Sequence, residues 1–498
     1  MKKYLFSSSF IIFLALTFLY FFTRLFLLKN LPLFVDEAGY IHWAQLGFAD
    51  PNQRLASLGD GKQPLFIWLI IVIMQVVTNP LIAGRIAAIL SGFGAAIGLM
   101  MLTYELFKKK WIALCSIFFY ILCPFALITD RLAIYDTLVA AIALWSLYLS
   151  ILLVRRLQLQ YAFLLAFSLG AGILNKSSGF LSIYLLPVTL LLFEGKNEKT
   201  KRLMKWVLYS ALSVAIAYLY YSVLFLSSGF DNIAEKNNYF LNSPLSLLYT
   251  NFLPLFVKNL TQFGQWIFLL LTPSFLLLAA AGLFLVKAYK NEKLLLIVTF
   301  LIEILGMALL GRDPLPRYIF FMALFLLPLS SLGMWYVYNR FKKNLLAFVA
   351  LVILFVSFNV YSEYKILTNL EEAPVPQITK TELVTSWSAG GGIGNIVKYL
   401  LTESTKHKIL VVTDGPYGGM SNAAMDMYFF KNPAAERMSF AKFPSEIPQD
   451  ILEKSRQEPV FLFLTQLENP PKWPMHLVLS YEKGHGPNYV YLYQLDEK

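Results

Sequence analysis

"PLFIWLIIVIMQVV", Pro64 to Val77, is apolar almost throughout but only fourteen residues long. As a helix it covers about 21 Å, short of the ~30 Å hydrocarbon core of a bilayer. Whether it crosses or lies flat decides the side on which every later loop falls. Five basic clusters arbitrate: Lys108 to Lys110, Arg155 with Arg156, Lys196 to Lys205, Lys287 to Lys293, and Arg340 to Lys343. Short cytoplasmic loops collect Lys and Arg. If Pro64–Val77 spans, all five clusters lie outside; if it rests in the outer interface, all five lie inside. The second reading is adopted.

Of the 498 residues, 57% are hydrophobic, 16% aromatic and 14% charged. Apolar runs long enough to cross a membrane recur along the chain. The sequence predicts an all-α polytopic membrane protein with eleven spans and interfacial helices. The spans fall at roughly 8–28, 81–107, 112–129, 132–154, 159–174, 179–194, 203–226, 266–288, 293–310, 316–338 and 344–361. Lys2 and Lys3 precede the first run, which is too long for a signal-peptide core and is read as retained. The amino terminus is then cytoplasmic and the tail extracytoplasmic, in a cell membrane.

The net charge of +12 does not indicate nucleic acid. From Ser362 onward the chain has 13 basic and 16 acidic residues, so the excess belongs to the membrane part and its inner loops. Three regions follow: a membrane domain at 1–361, a linker at 362–380 and a small extracytoplasmic α/β domain at 381–498. Within that domain "KILVVTDG", "PVFLFLTQ", "MHLVLSYEK" and "NYVYLYQL" read as strands, and "IGNIVKYLL" and "NAAMDMYFF" as helices. "SAGGGIGN" lacks a strand directly ahead of it and reads as a flexible linker rather than a phosphate cradle. Cys115 and Cys123 share one span, so no disulfide framework is expected, and no His/Cys set has metal-ligand spacing.

On this map the polar residues near spans gather on the outer side: Asp36, Glu37, Asp60, Lys62, Asp130, Arg131, Lys176, Arg312, Asp313 and Arg317. Asp136 enters a span from the same side, where a carboxylate is a functional candidate by default. Carboxylates beside isolated cations suit an anionic substrate with a proton acceptor next to it. Plainer roles compete. Asp36 can be the N-cap of a helix starting at Glu37. Asp130 and Arg131 can form a rim salt bridge, Arg317 can pair with Asp313, and Lys176 can merely snorkel to the interface.

The order of motifs resembles the GT-C glycosyltransferases, in particular the protein O-mannosyltransferase and aminoarabinose-transferase group (glycosyltransferase families 39 and 83). The resemblance rests on the Asp36-Glu37 pair after the first span, "GKQPLFIWL", "AGRIAAILSG", "DRLAIYDTLVAAIALW", "GILNKSSGF" and "PLPRYIFFMALFLLP", and covers about residues 8–340. In this chain Gln63 separates Lys62 from the proline that often follows it directly in relatives.

The resemblance implies inverting transfer of a hexose or pentose from a polyprenyl-phosphate-linked donor to a lipid, glycan or protein acceptor at the outer membrane face. It implies Asp36 as the base, with Glu37 and Asp136 as further catalytic carboxylates. Lys62, Arg131, Lys176 and Arg317 become candidates for the donor phosphate, and Glu37 and Asp60 for a divalent metal ion, which no motif demands. A transporter or flippase is the alternative, but it is expected to carry internal repeats and broken helices near the midplane. A non-catalytic scaffold, with the tail as the working part, would leave Asp36 and Asp136 replaceable.

Overall fold

The computed structural model describes residues 8–194, 198–415, 419–465, 470–485 and 488–496. Among them, seven helices are long and apolar enough to cross a membrane: Ser8–Asn30, Pro80–Phe107, Asp136–Arg156, Lys199–Leu226, Lys290–Leu310, Pro316–Phe341 and Leu345–Thr368. Two further pairs are sharply bent, Lys110–Ile121 with Pro124–Asp130 by 63° and Leu253–Leu270 with Pro273–Leu285 by 101°. Counting each pair once gives up to nine spans. The remaining two of the eleven expected are the shorter apolar helices Leu159–Asn175 and Ser177–Leu192. Leu65–Met74 has ten residues, about 15 Å of helix, which is too short to cross.

The bends correct two expected straight spans. Pro124 and Pro273 each open a new helix, because proline has no N–H to continue the old one. The second bent pair also starts at Leu253, well ahead of the expected 266. The carbonyls freed at the first break are taken up by an arginine of the first span. Arg24 donates to Ile121 O at 2.7 Å and to Tyr120 O at 3.3 Å, and pairs with Asp130 at 3.2 Å. Tyr20 and Tyr120 donate to the same carboxylate, so Asp130 is spent inside the bundle and forms no rim pair with Arg131. A buried charge is tolerated only with such a full set of partners.

The tail carries a five-stranded sheet in the order β4-β3-β5-β7-β6. Its strands are β3 (Ile409–Asp414), β4 (Ala435–Phe440), β5 (Val460–Leu464), β6 (Met475–Glu482) and β7 (Tyr489–Leu495). β3 runs parallel to β4 and β5, whereas β7 is antiparallel to β5 and β6. β3 and β5 are buried at every residue, which is why they read as unbroken apolar runs. β4, "AERMSF", escaped the sequence reading because half of its residues are polar and exposed.

Two short strands, β1 (Leu33–Phe34) and β2 (Ala389–Gly390), join the tail to the membrane domain. The stretch "SAGGGIGN" is therefore no free linker: Ala389 and Gly390 pair with Phe34 and Leu33, and Val35 N donates to Ser388 O at 3.0 Å. The connection between domains is also shorter than expected. The last span stays helical to Thr368, and helical turns resume over Gln377–Thr385. The helix Val35–Ala49 completes the joint. His42 Nδ1 meets Asp426 O at 3.0 Å, and Gln45 Nε2 donates to Met427 O at 2.9 Å.

Candidate active site

The helix Val35–Ala49 begins with Phe34 as its N-cap, so Asp36 is not the cap. Glu37 performs that task, accepting from Phe34 N at 3.0 Å. Successive helical residues point about 100° apart. The two adjacent carboxylates therefore enter different surroundings. Glu37 is fully buried and grips Arg85 of the next long span through two bonds of 2.9 Å. Ala133 N donates to it as well, at 2.8 Å. Arg85 spends its other hydrogens on Leu28 O, Leu31 O and Pro32 O. Glu37 is thus fully engaged in pinning the loop after the first span, rather than open to the site as expected of a catalytic carboxylate.

Asp36 faces the other way, about a quarter exposed, between two cations. Its Oδ2 lies 2.9 Å from Arg317 and its Oδ1 3.5 Å from Lys62. Burial alone raises the Asp36 pKa, but Lys62 and Arg317 outweigh it and hold the carboxyl at about 2. At neutral pH it is ionised.

Each cation is delivered by a specific local feature. Lys62 follows Gly61, which has φ of 66°, and a Cβ there would sit 2.3 Å from Asn232 O. Only glycine fits that turn. The Lys62 ammonium lies over the rings of Tyr40 (4.7 Å) and Trp43 (5.5 Å), and Gln63 anchors the loop by donating to Ser177 Oγ at 2.8 Å. Arg317 opens the span Pro316–Phe341 and lies over the Phe34 ring at 4.9 Å. Such aromatic faces hold a cation without neutralising it.

Around this centre stand further charges. Lys176, at the break between two short helices, pairs with Asp136 at 2.7 Å and lies over Tyr135 (4.4 Å) and Tyr318 (4.6 Å). Burial lowers the Lys176 pKa, and Asp136 restores only part of it. Asp60 is bonded to Lys236 at 2.7 Å and lies 3.5 Å from Lys62. From the tail, Glu382 approaches Arg317 at 4.0 Å; burial raises its pKa, against the pull of Arg317. Asp36, Lys62, Asp60, Lys176, Asp136 and Arg317 are thus brought to one site, although Arg317 pairs with Asp36 rather than with Asp313.

Arg131 is not part of it. Its guanidinium turns inward and donates to Phe26 O at 3.0 Å and Leu27 O at 2.8 Å, closing the end of the first span. A metal held by Glu37 and Asp60 does not fit either. Four donors occupy the Glu37 oxygens, lysines flank Asp60, and no group of three or more His, Cys, Asp or Glu able to hold a metal occurs among the described residues.

Comparison with known proteins bears on the fold that holds this arrangement. Residues 61–221 match the family profile of dolichyl-phosphate-mannose-protein mannosyltransferase. Among solved structures, ArnT from Cupriavidus metallidurans bound to undecaprenyl phosphate superposes with a TM-score of 0.57 over 97% of each chain, at 14% identity. The fold is that of the GT-C membrane glycosyltransferases. The apo form of the same ArnT gives 0.55, again over 97% of each chain at 14% identity. The Archaeoglobus fulgidus oligosaccharyltransferase, tethered to an acceptor peptide, gives 0.50 at 12% identity, over 88% of this chain and 64% of that one. A sequence search among curated proteins finds no match.

Several members of this site escaped the sequence reading. Arg85 had a usable signal, since an arginine inside an apolar run must have a partner. Tyr40, Tyr135, Tyr318 and Lys236 carry no such mark. Glu382 comes from the tail, in a segment just ahead of the β2 strand that pairs with β1, and reaches Arg317 from there.

Proposed function

We propose that this chain is an inverting glycosyltransferase that moves a sugar from a polyprenyl-phosphate donor to a hydroxyl acceptor at the outer membrane face. The observation that carries the reading is Asp36, ionised and suspended between Lys62 and Arg317 at the mouth of a GT-C bundle. An acceptor hydroxyl attacks the anomeric carbon, the bond from that carbon to the phosphate oxygen breaks, and the phosphate leaves with the electron pair. Lys62 and Arg317 are suited to hold the growing phosphate charge. Asp36 takes the hydroxyl proton. A phosphate between the two cations draws their charge from Asp36 and returns basicity to it. Lys176 and Asp136 orient the reacting groups, and the polyprenyl chain stays in the bilayer. The acceptor is a lipid, a glycan or a protein.

Purified protein incubated with synthetic polyprenyl-phosphate sugars tests the reading. Product analysis by mass spectrometry, together with a comparison of surface glycans with and without the gene, identifies sugar and acceptor. Absence of transfer from every such donor overturns it.

Within this site Arg317→Ala is expected to weaken donor use by about 10- to 150-fold, the loss of one charge-assisted contact of about 1.5–3 kcal/mol. Arg340→Ala, an exposed arginine at the far end of the same span, is the control and is expected to change little. Equal effects remove Arg317 from the site.

The proposed orientation has the basic clusters inside. In intact cells, cysteines replacing the exposed Asn52 and Thr405 are expected to react with an impermeant thiol reagent, and one replacing exposed Thr200 is not. Labelling at Thr200→Cys alone inverts the topology.

A further inference from the structure

We infer that Asn359, in the last span, is the positioning residue that locks both broken spans around the crevice beside Arg317. This deepens the proposed function and rests on its placing a lipid phosphate at Arg317. The last span touches the bundle sparingly: its buried residues are Asn359, Ser362, Glu363 and Ile366. Asn359 is fully buried and reaches both breaks with one amide. Its Nδ2 donates to Leu122 O at 3.1 Å, just before the 63° bend. Its Oδ1 accepts from Ser274 Oγ at 2.7 Å and Thr272 Oγ1 at 3.2 Å, at the 101° bend.

Both breaks need such help. A bent helix frees backbone groups that lipid cannot satisfy. Thr272 also holds φ of 73°, a region that a β-branched residue rarely enters. The breaks touch each other where Cys123 Sγ donates to Leu270 O at 3.7 Å. Beyond them opens a mostly apolar crevice. Phe125, Ile128 and Thr129 of the first broken span, Leu270 of the second, and Arg317 and Glu382 are among the residues that line it. A side chain that fixes the angle of both broken spans sets the width of that crevice. Interhelical bonds of this kind hold membrane helices together where hydrophobic burial supplies no drive.

The test uses the purified full chain carrying Cys115→Ser, so that Cys123 is its only thiol. Two quantities are read for the parent protein, Asn359→Ala and Asn344→Ala. Asn344 caps the start of the same helix through Ala347 N and serves as the control for simple loosening. The first readout is equilibrium binding of a short polyprenyl phosphate. The second is the rate at which the fully buried Cys123 reacts with a small thiol reagent.

Asn359→Ala is expected to weaken binding about tenfold, the scale of one or two lost buried hydrogen bonds, and to speed Cys123 labelling by a similar factor. Asn344→Ala is expected to leave both near the parent values. If Asn359→Ala does not fold, Ser274→Ala removes the shortest bond and is expected to give a change of about threefold in the same direction. Unchanged Cys123 reactivity and binding in the Asn359 variant overturn the inference, as do equal changes in the Asn344 variant. A parent protein that binds no polyprenyl phosphate, with Cys123 still unlocked by Asn359→Ala, overturns the proposed function and leaves the clamp standing.

Discussion

Asp36→Asn is expected to lower the transfer rate by about 10²- to 10⁴-fold, the usual loss when a general base is removed. Donor binding and folding are expected to survive. Asparagine has the same size, and the helix start does not depend on Asp36, because Phe34 is the N-cap and Glu37 makes the capping bond. Lys62 and Arg317 lose their shared carboxylate, but the donor phosphate supplies the missing charge when it binds. Purified variant and parent, one synthetic donor and a rate measurement decide the matter. A stable Asp36→Asn protein with undiminished turnover would sink the assignment of the base.

The same variant has a pH signature. The Asp36 carboxyl is held at about 2, below its ordinary range near 4. Its contribution to stability is therefore complete above about pH 4 and is lost as the pH falls toward 2. The parent is expected to lose more stability than Asp36→Asn across that window. Thermal unfolding at a series of acidic pH values measures the difference.

One residue along, Glu37→Gln is expected to act on folding instead. The Arg85–Glu37 pair is fully buried, and removing one charge leaves the other uncompensated, at a cost of about 3–5 kcal/mol. Glutamine keeps the volume but only one acceptor oxygen, so it can still accept from Phe34 N or from Ala133 N but not from both. The loss therefore reports the orphaned Arg85 charge together with a buried N–H left without its acceptor. The Glu37→Leu, Arg85→Met double variant is expected to recover only part of the stability. It removes the charge pair but also strips Leu28 O, Leu31 O and Pro32 O of their donor. Thermal unfolding in detergent, with turnover per folded molecule measured alongside, separates the roles. Normal stability with lost turnover in Glu37→Gln would return Glu37 to the chemistry.

Adjacent in sequence and alike in charge, Asp36 and Glu37 mark the limit of reading a chain without its fold. Helical geometry turns them apart, but which one meets Arg85 and which meets Arg317 depends on spans far away in sequence. The same limit applies to the cations. Lys62, Lys176, Arg131 and Arg317 all sit in segments beside apolar helices, yet Arg131 turns inward to the end of the first helix while the other three reach the site. Loop position alone does not say where a long side chain points.

From the sequence alone came the membrane class, the places of the apolar helices, the shortness of the helix at Leu65–Met74 and most of the tail's strands. These are local properties, because run length and period decide whether a segment can satisfy its backbone and bury its apolar face. Tertiary structure alone decided the clasp between Leu33–Phe34 and Ala389–Gly390, the burial of Glu37 on Arg85 and the reach of Glu382 to Arg317. Each of these joins residues tens to hundreds of positions apart. A buried charge or a freed carbonyl takes whichever partner the packed helices bring within about 3 Å, and that is a property of the assembled bundle rather than of any one segment.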